Sequence, residues 1–182
     1  MATAKTWKGV VKRFAALPAE VAKYFEHFPK LAEDFPWDVS LAYLFSRVEL
    51  AHNMAIYCGA VKLHRANGEL ARSAVQLHHM TRPGFRELFK TIHGAAIPDG
   101  VQRLLDGAET IRDKALHGKS TRSEEHRAAI CEVFEYAEKL NDFVQLKSGF
   151  KPFDDLRGFK GRAKALDKAT TRWLLKGMGF PL

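Results

Sequence analysis

The run from Trp37 to about Asn67 limits the fold of this chain more than any other feature. Within it Leu41, Leu44, Phe45, Val48, Ala51, Ala55, Cys58 and Val61 recur at three- and four-residue intervals. That spacing lays them along one side of a long helix, and a helix with so continuous an apolar stripe belongs at the centre of a core. Pro36 suits its start, because proline's fixed φ is ready-made for a first turn. Asn67-Gly68 is expected to end it in a left-handed cap. Strand-like alternation is nearly absent from the whole sequence, so the expected fold class is all-α.

The other segments follow the same period. Thr6 to Leu17 reads as a short amphipathic helix stopped at Pro18, and Ala19 to Phe28 continues helically until Pro29. Glu69 to Met80 is expected to end at a Pro83-Gly84 turn, before a helix from Phe85 to Ala96. Pro98-Asp99-Gly100 opens a helix from Val101 to Leu116, with Gly118 placed for a left-handed cap. Thr121 and Glu124 have capping-box spacing for a further helix running to about Lys147. Gly149 to Gly161 breaks the pattern and reads as a loop, and Ala163 to Lys176 as a last helix. The expected organisation is a helical bundle over 1–148, with a basic extension over 149–182 packed on the same domain.

Charge and cysteine usage narrow the function. The chain carries a formal +8, and the stretch Lys147–Leu182 alone has nine Lys or Arg against three Asp. A basic segment of this kind attracts phosphate-rich partners, or else serves as a solvated tail. Cys58 and Cys131 lie in no CxxC pattern, which points to reduced, buried thiols rather than a disulfide framework or a zinc site. Met1–Gly9 has no apolar core of a signal peptide, and the apolar stretch Leu41–Leu63 holds Arg47, Glu49, His52, Asn53 and Lys62. A cytoplasmic protein with no membrane association is therefore expected.

Metal and nucleophile chemistry find little support. Glu49-x-x-His52 has the spacing of a helical di-iron half-site, but no second Glu-x-x-His pair accompanies it. The pair reads as a hydrogen bond at the edge of the core. His78 and His79 are adjacent and would point different ways on a helix. There is no Gly-rich phosphate loop, nucleophile elbow or Cys/His cluster, so no metal and no cofactor is expected.

The most informative stretch is Ile111-Arg112-Asp113-Lys114-Ala115-Leu116-His117-Gly118-Lys119. It sets an Arg five residues before a His at a helix C-terminus, with a polar residue directly after the Arg. This resembles the signature of the HEPN domains, an all-helical superfamily, and the resemblance covers about residues 37–147. It implies a HEPN-like bundle with additional N-terminal helices and a basic C-terminal loop plus helix. It also implies metal-independent cleavage of RNA by the ribose 2′-hydroxyl. By that resemblance His117 would act as general base or acid and Arg112 would clamp the phosphorane. Asp113, four residues before His117, would orient the imidazole.

Residues five apart on a regular helix lie about 140° apart around its axis, so Arg112 and His117 would not converge unless the last turn unwound or two copies met. HEPN proteins commonly pair in this way, so the resemblance implies a homodimer. Lys114, Lys119 and Arg122 flank the motif, and with Lys160, Arg162 and Arg172 they are candidates to hold an RNA backbone. Phe150, Phe153, Phe159 and Trp173 interleave with the basic C-terminal stretch, either to stack on bases or, the favoured reading, to pin that stretch to the body.

Three functions stay open on the sequence. The first is an endoribonuclease, a toxin or a defence effector with an antitoxin or regulatory partner. The second is a non-catalytic helical module that binds nucleic acid or a protein. The third is a helical scaffold whose Arg112–His117 spacing is accidental.

Overall fold

The computed structural model describes residues 4, 6–78 and 80–182. His79 and, from the N-terminal stretch read for a signal peptide, Met1, Ala2, Thr3 and Lys5 lie outside them. The described residues are all-helical, with 71% in helix and no strand. Their helices are α1 (Trp7–Ala15), α2 (Ala19–Tyr24), α3 (Phe28–Asp34), α4 (Trp37–His64), α5 (Gly68–Leu77), α6 (Arg82–His93), α7 (Asp99–Leu116), α8 (Ser123–Ser148) and α9 (Lys168–Gly177). None is long and apolar enough to cross a membrane.

The chain forms two compact units. The first comprises 1–49, 98–142 and 153–155, the second 50–97, 143–152 and 156–182. The division falls inside α4 and again inside α8. Most of the 149–182 stretch groups with the second unit, while Phe153, Asp154 and Asp155 group with the first.

In the first unit aromatic packing dominates. Phe28 meets Phe134 edge-on at 5.0 Å, and Phe25 sits 5.9 Å from Phe134 and 5.7 Å from Phe153. Phe153 is fully buried, and its backbone is read at two points by Asn141. Its N–H donates to Oδ1 at 2.8 Å, and its carbonyl accepts from Nδ2 at 3.2 Å. A buried loop strand needs such a partner, because no helix supplies its hydrogen bonds. Arg13 and Glu138 form a half-buried ion pair in the same unit.

The second unit is built on Ala51, Ala55, Ile56, Phe89, Ile92, Leu175 and their neighbours, all buried. Its α5 and α9 pack against each other. His93, at the end of α6, is stacked on Phe89 and bonded to Ser148 at the end of α8. Gly59 lets α4 approach closely here, since a Cβ at that position would stand 2.6 Å from Ile92 Cγ2.

Several helix ends differ from the sequence reading. Asn67-Gly68 does not end α4. Arg65 does, in the left-handed region at φ 58°, while Asn67 caps α5 by accepting from the Leu70 N–H. Pro83-Gly84 falls within the first turn of α6, capped by Thr81, because proline fits a first turn as readily as it ends a helix. The same holds for Pro29, which lies in the first turn of α3, a helix absent from the sequence reading. α5 stops at Leu77, three residues before Met80. α9 begins only at Lys168, capped by Asp167. The capping box of α8 uses Glu125, whose carboxylate accepts from the Arg122 N–H at 2.8 Å, instead of the Thr121–Glu124 pair.

Candidate functional site

The Arg112–His117 motif occupies the last turn of α7, in the first unit. Asp99 in the first turn and Lys114 in the last both complement the helix dipole. The helix stays regular to its end. The His117 N–H bonds to the Asp113 carbonyl at 3.0 Å, and the C-terminus then closes in a Schellman motif. In it Gly118, at φ 66°, donates to Ala115 O, and Lys119 donates to Lys114 O. The last turn is therefore not unwound, and the two motif side chains leave the helix about 140° apart. One chain does not gather them around a shared space.

Arg112 is held on three sides. Its Nε and Nη2 both donate to Asp113 Oδ1, at 2.9 and 2.7 Å, and Nη2 also reaches Glu109 at 3.3 Å. The guanidinium lies over the Phe45 ring, 4.5 Å from its centre. Its side chain is 18% exposed. Nη1 approaches Glu49 Oε1 at 3.8 Å, outside hydrogen-bond range. Asp113 thus orients the guanidinium, rather than the imidazole as the spacing suggested.

His117 is exposed, and among the described residues its ring has no hydrogen-bond or ion-pair partner. Leu116 beside it is 63% exposed. Lys114 is half-buried, Lys119 is exposed, and Arg122 is exposed with its Nε 3.5 Å from Glu125.

Lys160, Arg162 and Arg172 belong to the second unit, and all three are exposed. Phe150 and Phe153 are buried as pins should be, one in each unit, and Phe159 is half-buried. Trp173 departs from that reading, being 77% exposed on α9. Helical phase accounts for it: Thr171 and Leu175 face inward, and Trp173 falls between them.

His52 and the two cysteines read as structural. His52 is buried, stacked on Phe85 at 3.8 Å, and burial beside Arg82 and Arg86 pushes its pKa down to about 3. Its neighbour in the Glu-x-x-His spacing, Glu49, points its carboxylate to Arg112 instead. Burial pushes the Cys58 thiol up to about 12, while Cys131 is only half-buried. Both cysteines are free. Among the described residues no three His, Cys, Asp or Glu side chains gather as metal ligands would. No family model, no curated protein and no solved structure matches this chain.

Proposed function

We propose that this protein is a HEPN-type, metal-independent endoribonuclease whose site is completed when two copies meet at the ends of their α7 helices. In this reading His117 of one copy takes the proton of a ribose 2′-hydroxyl. The 2′-oxygen attacks the adjacent phosphorus and the 5′-oxygen leaves, taking up through water the proton that His117 accepted. The products are a 2′,3′-cyclic phosphate and a free 5′-hydroxyl. Arg112 of the second copy stabilises the added charge on the phosphorane. Asp113 is a positioning residue, and Lys114, Lys119 and Arg122 would attract the RNA backbone.

The observation that carries the reading is the state of Arg112. Its Nε and Nη2 edge is anchored and its face rests on Phe45, while Nη1 makes no hydrogen bond among the described residues. A pre-oriented guanidinium whose Nη1 has only the longer Glu49 contact suits a phosphate oxygen with little further ordering. The exposed His117 and Leu116 at the same helix end suit a face covered by a second copy.

A second reading, a non-catalytic module that binds nucleic acid, is favoured by one feature of the same residue. Asp113, Glu109 and Glu49 all lie within 4 Å of the guanidinium, and their charge opposes an incoming phosphate. RNA cleavage in EDTA separates the two. The nuclease reading expects cyclic-phosphate ends from the wild type and none from Arg112→Ala or His117→Ala. Equal background in all three proteins, with salt-dependent binding retained, overturns it in favour of the binding module.

A further inference from the structure

In the second unit the start of α5 and the loop before α9 enclose an open cleft of about 660 Å³. That is within the roughly 300–1,000 Å³ typical of small-ligand sites. Tyr57 and Phe159 give it aromatic walls, and Arg72, Ser73 and Lys160 give it polar ones. We propose that this cleft is a binding subsite for one unpaired nucleotide, with the base against Phe159 and the phosphate between Arg72 and Lys160. It lies outside the Arg112–His117 motif and rests on the RNA reading above only for its source of nucleotides.

The loop wall is fixed in place. The Arg65 carbonyl accepts from the Leu166 N–H at 2.8 Å, and Arg65 Nε donates to the Lys164 carbonyl at 2.9 Å. Arg65 has a left-handed conformation here, a strained one for a residue with a Cβ. Gly161 lies so close to α4 that a Cβ would stand 2.9 Å from the Val61 carbonyl oxygen. A wall fastened at these points costs little ordering when a ligand enters.

Two cations, Arg72 and Lys160, and one carboxylate, Glu69, line the cleft. Glu69 lines the cleft but is paired with Lys168 at 2.8 Å, which holds its carboxyl below the usual range. Arg72 lies over the Tyr57 ring at 5.3 Å, and Lys160 is exposed on the opposite wall. An anion carrying an aromatic ring matches this pairing of cations with apolar walls, as bases on aromatic platforms do elsewhere.

The test uses full-length His117→Ala protein, so that cleavage does not intervene. It is titrated with 5′-AMP and with a hexa-adenylate RNA at several salt concentrations. Arg72→Gln and Lys160→Gln are each expected to weaken both ligands about five- to tenfold and to lower the RNA salt slope by about one. Lys30→Gln, an equal charge change on the exposed surface of the other unit, is expected to leave both unchanged. Arg72→Lys should keep the salt slope while losing affinity, which a collapsed cleft would not do. AMP binding as tightly as RNA identifies a free nucleotide as the source, and RNA binding more tightly identifies a strand. The proposal is overturned if neither ligand saturates, or if RNA binds and the Arg72 and Lys160 changes have the effect of Lys30→Gln. In the latter case the RNA reading survives without this subsite.

Discussion

His93 Nδ1 lies 2.7 Å from Ser148 Oγ, tying the end of α6 to the end of α8 inside the second unit. The other ring nitrogen, Nε2, faces the Ala55 carbonyl at 3.3 Å. A carbonyl only accepts, so Nε2 carries the proton and Nδ1 accepts from the serine hydroxyl. The ring is thereby held neutral, and burial pushes its pKa down to about 4. A serine beside a histidine suggests a nucleophile, but both groups are buried, so the pair is structural. Ser148→Ala leaves a buried acceptor without its donor and should cost about 1–3 kcal/mol. Urea unfolding at pH 7.5 reads that loss, and an unchanged midpoint would contradict it.

The same histidine makes stability depend on pH, together with His52. Both have folded-state pKa values well below 6.5, at about 4 and about 3. Below pH 6.5 the unfolded chain takes up protons that the folded chain refuses, so stability is full above that pH and falls as pH drops toward the folded values. Each histidine should remove about 1.5 kcal/mol between pH 6.5 and 5. Unfolding midpoints measured across that range should decline, and His52→Gln should flatten the decline. A flat profile in the wild type would refute the burial of these rings.

Asn141 presents an amide to both backbone groups of Phe153, a match that no other short side chain reproduces. Asn141→Asp replaces the donor with an oxygen facing a carbonyl in a buried site. A loss of about 3 kcal/mol or more is expected. Asn141→Ala should cost less, since it leaves unpaired groups without adding repulsion. Denaturation of the two variants, compared with wild type, checks the order.

Gly59 supplies a test of packing against propensity. Alanine in a helix interior is worth about 1 kcal/mol over glycine. Here its Cβ would meet Ile92 Cγ2 at 2.6 Å and His93 Nε2 at 3.0 Å. Overpacking of that kind costs about 1–3 kcal/mol, so Gly59→Ala should be neutral to destabilising despite its propensity. A clear rise in thermal midpoint would show that α6 yields more easily than its packing suggests.

These residues also show what the sequence made legible. The stripe from Leu41 to Val61 announced α4, and Gly118 announced the end of α7, because apolar period and left-handed glycine are local signals. Pro29 and Pro83 misled, since proline marks a helix start as well as a stop and the neighbouring residues did not decide between them. Arg65 gave no warning, because the groups it bonds there, the carbonyl of Lys164 and the N–H of Leu166, lie far along the chain. The motif of Arg112, Asp113 and His117 was visible as spacing. The pairing of Asp113 with Arg112 was not, because it depends on rotamers set by Phe45 and Glu109. Nor was the cleft, whose walls come from residues about 90 positions apart.

The two-copy site is tested most directly by mixing inactive chains. Arg112→Ala and His117→Ala proteins are unfolded together, refolded at equal concentration and assayed on RNA in EDTA. If each site takes its arginine from one copy and its histidine from the other, half the dimers regain one intact site. The mixture should then recover about a quarter of wild-type cleavage, with neither variant active alone. A mixture as inactive as its components would contradict a shared site.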